Sequence, residues 1–292
     1  MITAEDGKKL GITVRDGAAA SKGVVLAVHG MGEHCGRQGY ARFAERLNAE
    51  GYIYLGLDLR GHGKTDPDTL GAGGRDFWDK SKSDIRQAID YAAKAYGLPV
   101  ILYGYCLGSF LIRGIMREGL PEGIERVILS GTARAKGIKF TLGRAAAFFK
   151  KLFGSGESPG RLFGIYLTSR DNRFKEGINC RLTRDVAEAG RYNIDPTLGS
   201  LGDYNFFGSV FRGFKELQKK PAVPDKKIPL LITGGGADFL SRGGRDLPKI
   251  SRKYGKVGYG AEFKIYAGAR QDLLNELNHD EVTDDIIGFL GR

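Results

Sequence analysis

Cys106 stands in the middle of Gly104-Tyr105-Cys106-Leu107-Gly108, and this five-residue spacing is the part of the chain best suited to chemistry. An apolar, β-prone run beginning at Val100 ends at Gly104, and a helix-like stretch runs from Leu107 to Arg117. A Gly-x-Cys-x-Gly between strand and helix is the context of a nucleophile elbow. The turn is sharp, so bulky residues two positions either side of the central residue would collide. It also puts the thiol at a helix N-terminus, where unpaired N–H groups favour negative charge. A thiolate is expected to be stabilised there. The same residues also suit a small buried thiol at a close strand–helix contact.

The elements that must hold this turn follow an alternating order. Residues 9 to 15 and Gly23 to Val28 read as strands, and the second ends in His29-Gly30-Met31-Gly32-Glu33-His34. Residues 37 to 50 carry Tyr40, Phe43, Ala44 and Leu47 at helical spacing. Tyr52 to Leu57 is a strand ending in Asp58-Leu59-Arg60-Gly61-His62-Gly63, and Ser83 to Tyr96 is a helix. Beyond the elbow, Glu125 to Ser130, Ile228 to Thr233 and Glu262 to Tyr266 read as strands; Arg242 to Tyr254 and Glu281 to Leu290 read as helices. Alternation of this kind predicts an α/β fold, a mostly parallel sheet flanked by helices. Residues 133–222 break the pattern, with helices expected only over Ala145 to Phe153 and Val210 to Leu217. They are expected to form an inserted cap on a core made of residues 1–132 and 223–292.

Composition narrows the setting. The chain has 292 residues, 41% hydrophobic and 27% charged, ordinary for a globular protein. No apolar run is long enough to span a membrane, and the N-terminal residues lack a signal-peptide apolar core. Cys35, Cys106 and Cys180 are too scattered for a disulfide framework or zinc site, so a reducing cytoplasmic location is expected. The net charge is +11, and residues 133–222 hold 17 Lys/Arg against 8 Asp/Glu. A basic cap suits an anionic substrate or peripheral contact with lipid headgroups. Nucleic acid is disfavoured, because no nucleic-acid-binding motif is present. No nicotinamide, flavin or metal site is expected: Gly234-Gly235-Gly236 follows a strand but lacks the dinucleotide fingerprint.

With these segments in order, the chain resembles α/β-hydrolases of the monoacylglycerol lipase and lysophospholipase type. The resemblance rests on the His29–His34 and Asp58–Gly63 segments, the elbow, Leu230 to Asp238 and Tyr266 to Glu276. It implies the α/β-hydrolase fold and a small acyl or lipid-like substrate. It makes Cys106 the nucleophile position, normally serine, and the backbone N–H groups of Met31 and Leu107 the oxyanion hole. It makes Asp238 the triad acid and puts Gln271 where the family has its catalytic histidine.

Cysteine and glutamine are not equivalent departures. A thiol can serve as nucleophile. Glutamine can neither accept the thiol proton nor protonate a leaving group near neutral pH. A hydrogen-bonded Cys106–Gln271–Asp238 chain is expected to hold geometry without moving protons. His29, His34, His62 and His279 are expected to be structural. The reading that leads is action on esters or thioesters through Cys106 with hydrolysis impaired. A lyase, isomerase or cyclase on the same fold, a ligand-binding pseudoenzyme, and an engineered or inactivated serine hydrolase stay open. Phe140, Phe148, Phe149, Phe153, Phe163, Tyr166, Phe206, Phe207 and Phe211 are candidates for an apolar slot, though cap packing explains most of them more simply.

Overall fold

Three continuous apolar runs form the middle of the sheet: β4 (Gly23–Val28), β5 (Tyr52–Leu57) and β6 (Val100–Tyr105), each buried along its whole length. A strand buried on both faces needs no polar alternation, which is the mark of a parallel sheet covered on both sides. The computed structural model describes residues 1–16, 21–135, 174, 176–200 and 202–292. In it, seven strands take the order β3-β5-β4-β6-β7-β8-β9, where β3 is Ile12–Arg15, β7 Ile124–Ser130, β8 Pro229–Gly235 and β9 Gly260–Tyr266. Only β3 runs antiparallel to its neighbour; the rest pair in parallel. A small hairpin, β1 (Ile2–Thr3) with β2 (Lys9–Leu10), precedes the sheet.

Side-chain alternation splits the core into two layers. Val24, Leu26, Val28, Leu102 and Leu129 face α2 (Phe77–Tyr96) and α3 (Leu107–Glu118). Val25, Ala27, Tyr103, Ile128 and Tyr266 face α1 (Gln38–Ala49) and the terminal helix His279–Leu290. The chain leaves β4 toward β5 and then returns to β6 on the other side, so strand order reverses at β4. Ligands of open α/β sheets bind beyond the carboxyl ends of the strands at such a point.

Adjacent parallel strands β7 and β8 are separated by residues 131–228. Two helices of this long connection are described. Val186–Ile194 is capped by Asp185, whose carboxylate accepts from the N–H groups of Ala187 and Glu188. Tyr204–Glu216 is capped by Asp203 through Phe206 N–H. The second helix starts earlier than the apolar pattern suggests and is packed firmly down: Phe206 meets Phe77 at 4.5 Å and Phe214 meets Phe110 at 4.8 Å, centroid to centroid. The helix expected over Ala145 to Phe153 lies outside the described residues. So do Phe140, Phe148, Phe149, Phe153, Phe163 and Tyr166. No helix among the described residues is long and apolar enough to cross a membrane.

Candidate active site

The strand-to-helix turn after β6 holds Cys106 at φ 46° and ψ −109°, a conformation L-residues seldom adopt. Such strain costs on the order of 1–3 kcal/mol and persists where the surroundings over-determine it. Here they do. A Cβ at Gly108 would lie 2.2 Å from the Val28 carbonyl oxygen, and one at Gly104 would lie 2.9 Å from the Gly108 carbonyl. Cys106 N–H donates to Ser130 O at 3.0 Å, and Gly108 N–H donates to His29 O at 3.0 Å. The elbow is thereby tied to the ends of β7 and β4.

Cys106 keeps partial exposure at the carboxyl edge of the sheet. Burial nevertheless pushes its thiol up to about 12, and the Glu33 and Asp238 carboxylates act in the same direction. The backbone N–H dipoles of Leu107 and Met31 pull the other way. The stabilised thiolate expected from the helix N-terminus is therefore not what the site holds. Desolvation and two nearby negative charges outweigh two peptide dipoles, and the resting group is a thiol.

Gln271, buried after β9, donates from Nε2 to Cys106 Sγ at 3.1 Å. The sulfur thus receives a side-chain N–H, and the backbone dipoles of Met31 and Leu107 act on it. The other half of the expected chain is missing. Among the described residues no hydrogen bond joins Gln271 to Asp238. Asp238 follows β8 and is fully buried; its Oδ1 accepts from Leu240 N–H at 2.8 Å and its Oδ2 from Ser241 N–H at 3.2 Å. Burial raises this carboxyl to about 6 against those bonds. An amide offers an acid no cationic partner, so the carboxylate closes onto its own turn.

The histidines are engaged elsewhere. His29 Nδ1 lies 2.6 Å from Gly30 O, and its Nε2 accepts from Leu59 N–H at 2.9 Å. Its ring packs 5.2 Å from that of His62, whose Nδ1 lies 2.8 Å from Arg60 O. His62 Nε2 is buried beside Phe77 and Phe206, without a partner among the described residues. His34 meets Thr197, and His279 opens the terminal helix beside Asp280. None of the four bonds to Cys106.

Sequence reasoning misses the ionic cluster beside the site. Arg37 bridges Glu33 and Asp272, the latter at 2.9 Å. Glu33 Oε1 accepts from Gly30 N–H at 2.6 Å and Tyr40 OH at 3.1 Å, and Asn275 Nδ2 donates to Asp272 at 3.0 Å. This links the Met31 loop to the Gln271 loop. The four-residue spacing of Glu33 and Arg37 is the trace it leaves in the sequence. The long connection adds its own ties. Gly32 O accepts from Tyr192 OH at 3.1 Å and Gly199 N–H at 2.8 Å. Arg270 donates to the carbonyls of Cys180 at 2.6 Å and Thr183 at 2.9 Å. Among the described residues, no group of three or more His, Cys, Asp or Glu side chains is arranged to hold a metal ion.

A family sequence profile matches residues 19–278, nearly the whole chain. The chain belongs to the Hydrolase_4 family (serine aminopeptidase, S33). Within this family setting, it is 26% identical over 271 residues to the mouse (Mus musculus) monoglyceride lipase, covering 91% of this chain and 80% of that protein. It is likewise 26% identical over 274 residues to a monoacylglycerol lipase of Mycolicibacterium smegmatis, covering 92% and 88%. Among solved structures, a thermostable carboxyl esterase from Bacillus coagulans superposes with a TM-score of 0.82 at 20% identity, covering 99% of this chain and 96% of that one. A soluble variant of the Saccharomyces cerevisiae monoglyceride lipase superposes with a TM-score of 0.75 at 20% identity, with the same coverages. The Hydrolase_4 chain described here thus has an α/β-hydrolase fold of the monoglyceride lipase kind.

Proposed function

We propose that this Hydrolase_4 chain handles acyl groups of ester or thioester substrates, with Cys106 as acyl acceptor and hydrolytic turnover impaired. In this reading Met31 and Leu107 N–H groups receive the oxygen of the tetrahedral intermediate. Gln271 orients the sulfur, and Asp238 is the retained acid of a triad that lacks its base. Residues 133–222 act as the cap over the acyl group, set on a core of residues 1–132 and 223–292. The relatives' names, monoglyceride lipase and monoacylglycerol lipase, support a lipid-like acyl chain.

The observation that carries this reading is the 3.1 Å bond from Gln271 Nε2 to Cys106 Sγ. In a working triad the base takes a proton from the nucleophile. Here the neighbour gives a hydrogen bond to sulfur, and turning the amide over would offer only an oxygen with no proton affinity near neutral pH. Water attack on an acyl-Cys106 would lack a base for the same reason, so an acyl group once loaded is not released by water.

A second reading, a ligand-binding protein without covalent chemistry, draws support from the raised pKa of the thiol. Intact-protein mass after incubation with acyl thioesters and activated esters separates the two. The proposal expects a persistent acyl adduct that a Cys106→Ala variant lacks. Absence of adduct and turnover in folded protein would leave the binding reading, or a lyase, isomerase or cyclase reaction on the same fold.

A further inference from the structure

Building on the acyl-acceptor reading, we propose that the site selects its acyl donors by leaving group: it takes acyl groups from thioesters and phenyl esters and leaves alkyl esters, glycerides included, unreacted. The Gln271 side-chain N–H bonds to Cys106 Sγ at 3.1 Å, and the backbone N–H dipoles of Met31 and Leu107 act on the same sulfur. They can hold a developing oxyanion. None of them can give up a proton to a departing group.

Among the described residues, the acids and bases around the site are held by other groups, apart from His62 Nε2, which has no partner. Asp238 uses both oxygens on Leu240 and Ser241. Asp272 is held by Arg37 and Asn275, and Glu33 by Gly30, Tyr40 and Arg37. His29 is bonded through both ring nitrogens, and His62 is turned into an aromatic pocket with Phe77 and Phe206. The Tyr105 ring lies against Gly30 and Gly131, its phenol pushed further from ionisation by burial. No member of this set makes a hydrogen bond to Cys106.

Without a general acid, the tetrahedral intermediate expels whichever group leaves better as an anion. The competitors are the Cys106 sulfur and the substrate's own leaving group. Burial makes the Cys106 thiolate costly, so it is the poorer of two sulfur leaving groups. A small thiol, with a pKa of about 8.5, or a phenol, at about 10, departs ahead of it. An alkoxide, derived from an alcohol about as weakly acidic as water, does not, and the intermediate falls back to starting ester. The forward step balances simply. The Cys106 S–C bond forms, the C–S or C–O bond to the leaving group breaks, and the thiol proton ends on the departed thiol or phenol. Discharge runs by the reverse step onto another thiol, since water has no base to activate it.

The test uses one acyl chain on three leaving groups: an N-acetylcysteamine thioester, a phenyl ester and a 1-monoacylglycerol. The rate of acyl adduct formation is read by intact-protein mass on the full chain and on Cys106→Ala and Gln271→His variants, with folding checked by circular dichroism. The thioester and phenyl ester are expected to label wild-type protein at least about 10²-fold faster than the glyceride, the contribution ordinarily made by a general acid. Gln271→His is expected to narrow that gap by accelerating the glyceride. A glyceride that labels as fast as the thioester overturns the inference while leaving Cys106 as acyl acceptor. No adduct from any of the three in folded wild-type protein overturns the acyl-acceptor reading and this inference with it.

Discussion

Alkylation of Cys106 by iodoacetamide as a function of pH tests the electrostatics of the site without a substrate. Only the thiolate reacts. With the thiol at about 12 rather than its ordinary 9.0, the ionised fraction at pH 7.5 falls from about one part in thirty to about three parts in 10⁵. The difference is about 10³-fold in rate, or roughly 4 kcal/mol. The logarithm of the wild-type rate should therefore climb with unit slope from pH 7 to pH 10 and show no plateau. Restricted access would lower every point equally, so the shape of the profile carries the information. Cys35 and Cys180 are buried, and subtraction of a Cys106→Ala profile removes any share they contribute. In Gln271→His an imidazolium can pair with the thiolate, and the profile should rise at pH 7.5 by at least about 10²-fold and level off. A wild-type plateau below pH 9 would refute the claim that burial keeps Cys106 protonated.

Other perturbations reach the same account from different sides. Gln271→His should also raise hydrolysis of an activated ester by about 10²–10⁴-fold, the range for a restored general base, measured by continuous product release; an unchanged rate in folded protein would count against a dormant triad. Burial lowers His62 to about 3 and His29 to about 4, from 6.5 for each. A base whose folded pKa is depressed supplies stability that is full above pH 6.5 and lost as pH falls toward those values. A circular dichroism acid titration should show unfolding in that window, and His62→Asn, which keeps an N–H for the Arg60 carbonyl, should move the midpoint to lower pH; an unmoved midpoint would exonerate His62. Gly213→Ala would place a Cβ 2.0 Å from Trp78 Cδ2. Overpacking should cost about 1–3 kcal/mol and lower Tm by several degrees, and a Tm equal to wild type would show that the helix Tyr204–Glu216 is not clamped on Trp78.

The apolar strands were legible because burial on both sheet faces leaves a continuous hydrophobic run, as at Gly23–Val28 and Tyr52–Leu57. The elbow was legible because close approach at Gly104 and Gly108 admits few residues. Helix ends were harder. Phe77–Tyr96 begins six residues before the expected Ser83, since Phe77 and Trp78 face the later helix Tyr204–Glu216 and interrupt a one-faced pattern. Leu247–Gly255 begins later than the expected Arg242, because Gly243 and Gly244 take positive φ and Pro248 suits a helix start. Apolar spacing does not mark helix Val186–Ile194, although Asp185 with Glu188 signals a helix start. At the site, the sequence could name Cys106 and Gln271 but not the balance of forces on the thiol. That balance depends first on burial and then on Glu33 and Asp238, which are distant in sequence and act on the thiol only after folding. The same holds for Asp238, whose carboxylate turns to Leu240 and Ser241.

The most direct test of an acyl-accepting Cys106 with stalled turnover is a pre-steady-state burst with a chromogenic phenyl ester. The account predicts release of one phenol per protein molecule, followed by a flat trace, with no burst from Cys106→Ala. Sustained linear release at wild-type Gln271 would contradict it by revealing a base at work in the site. A flat trace with no burst would contradict it by showing that Cys106 takes no acyl group.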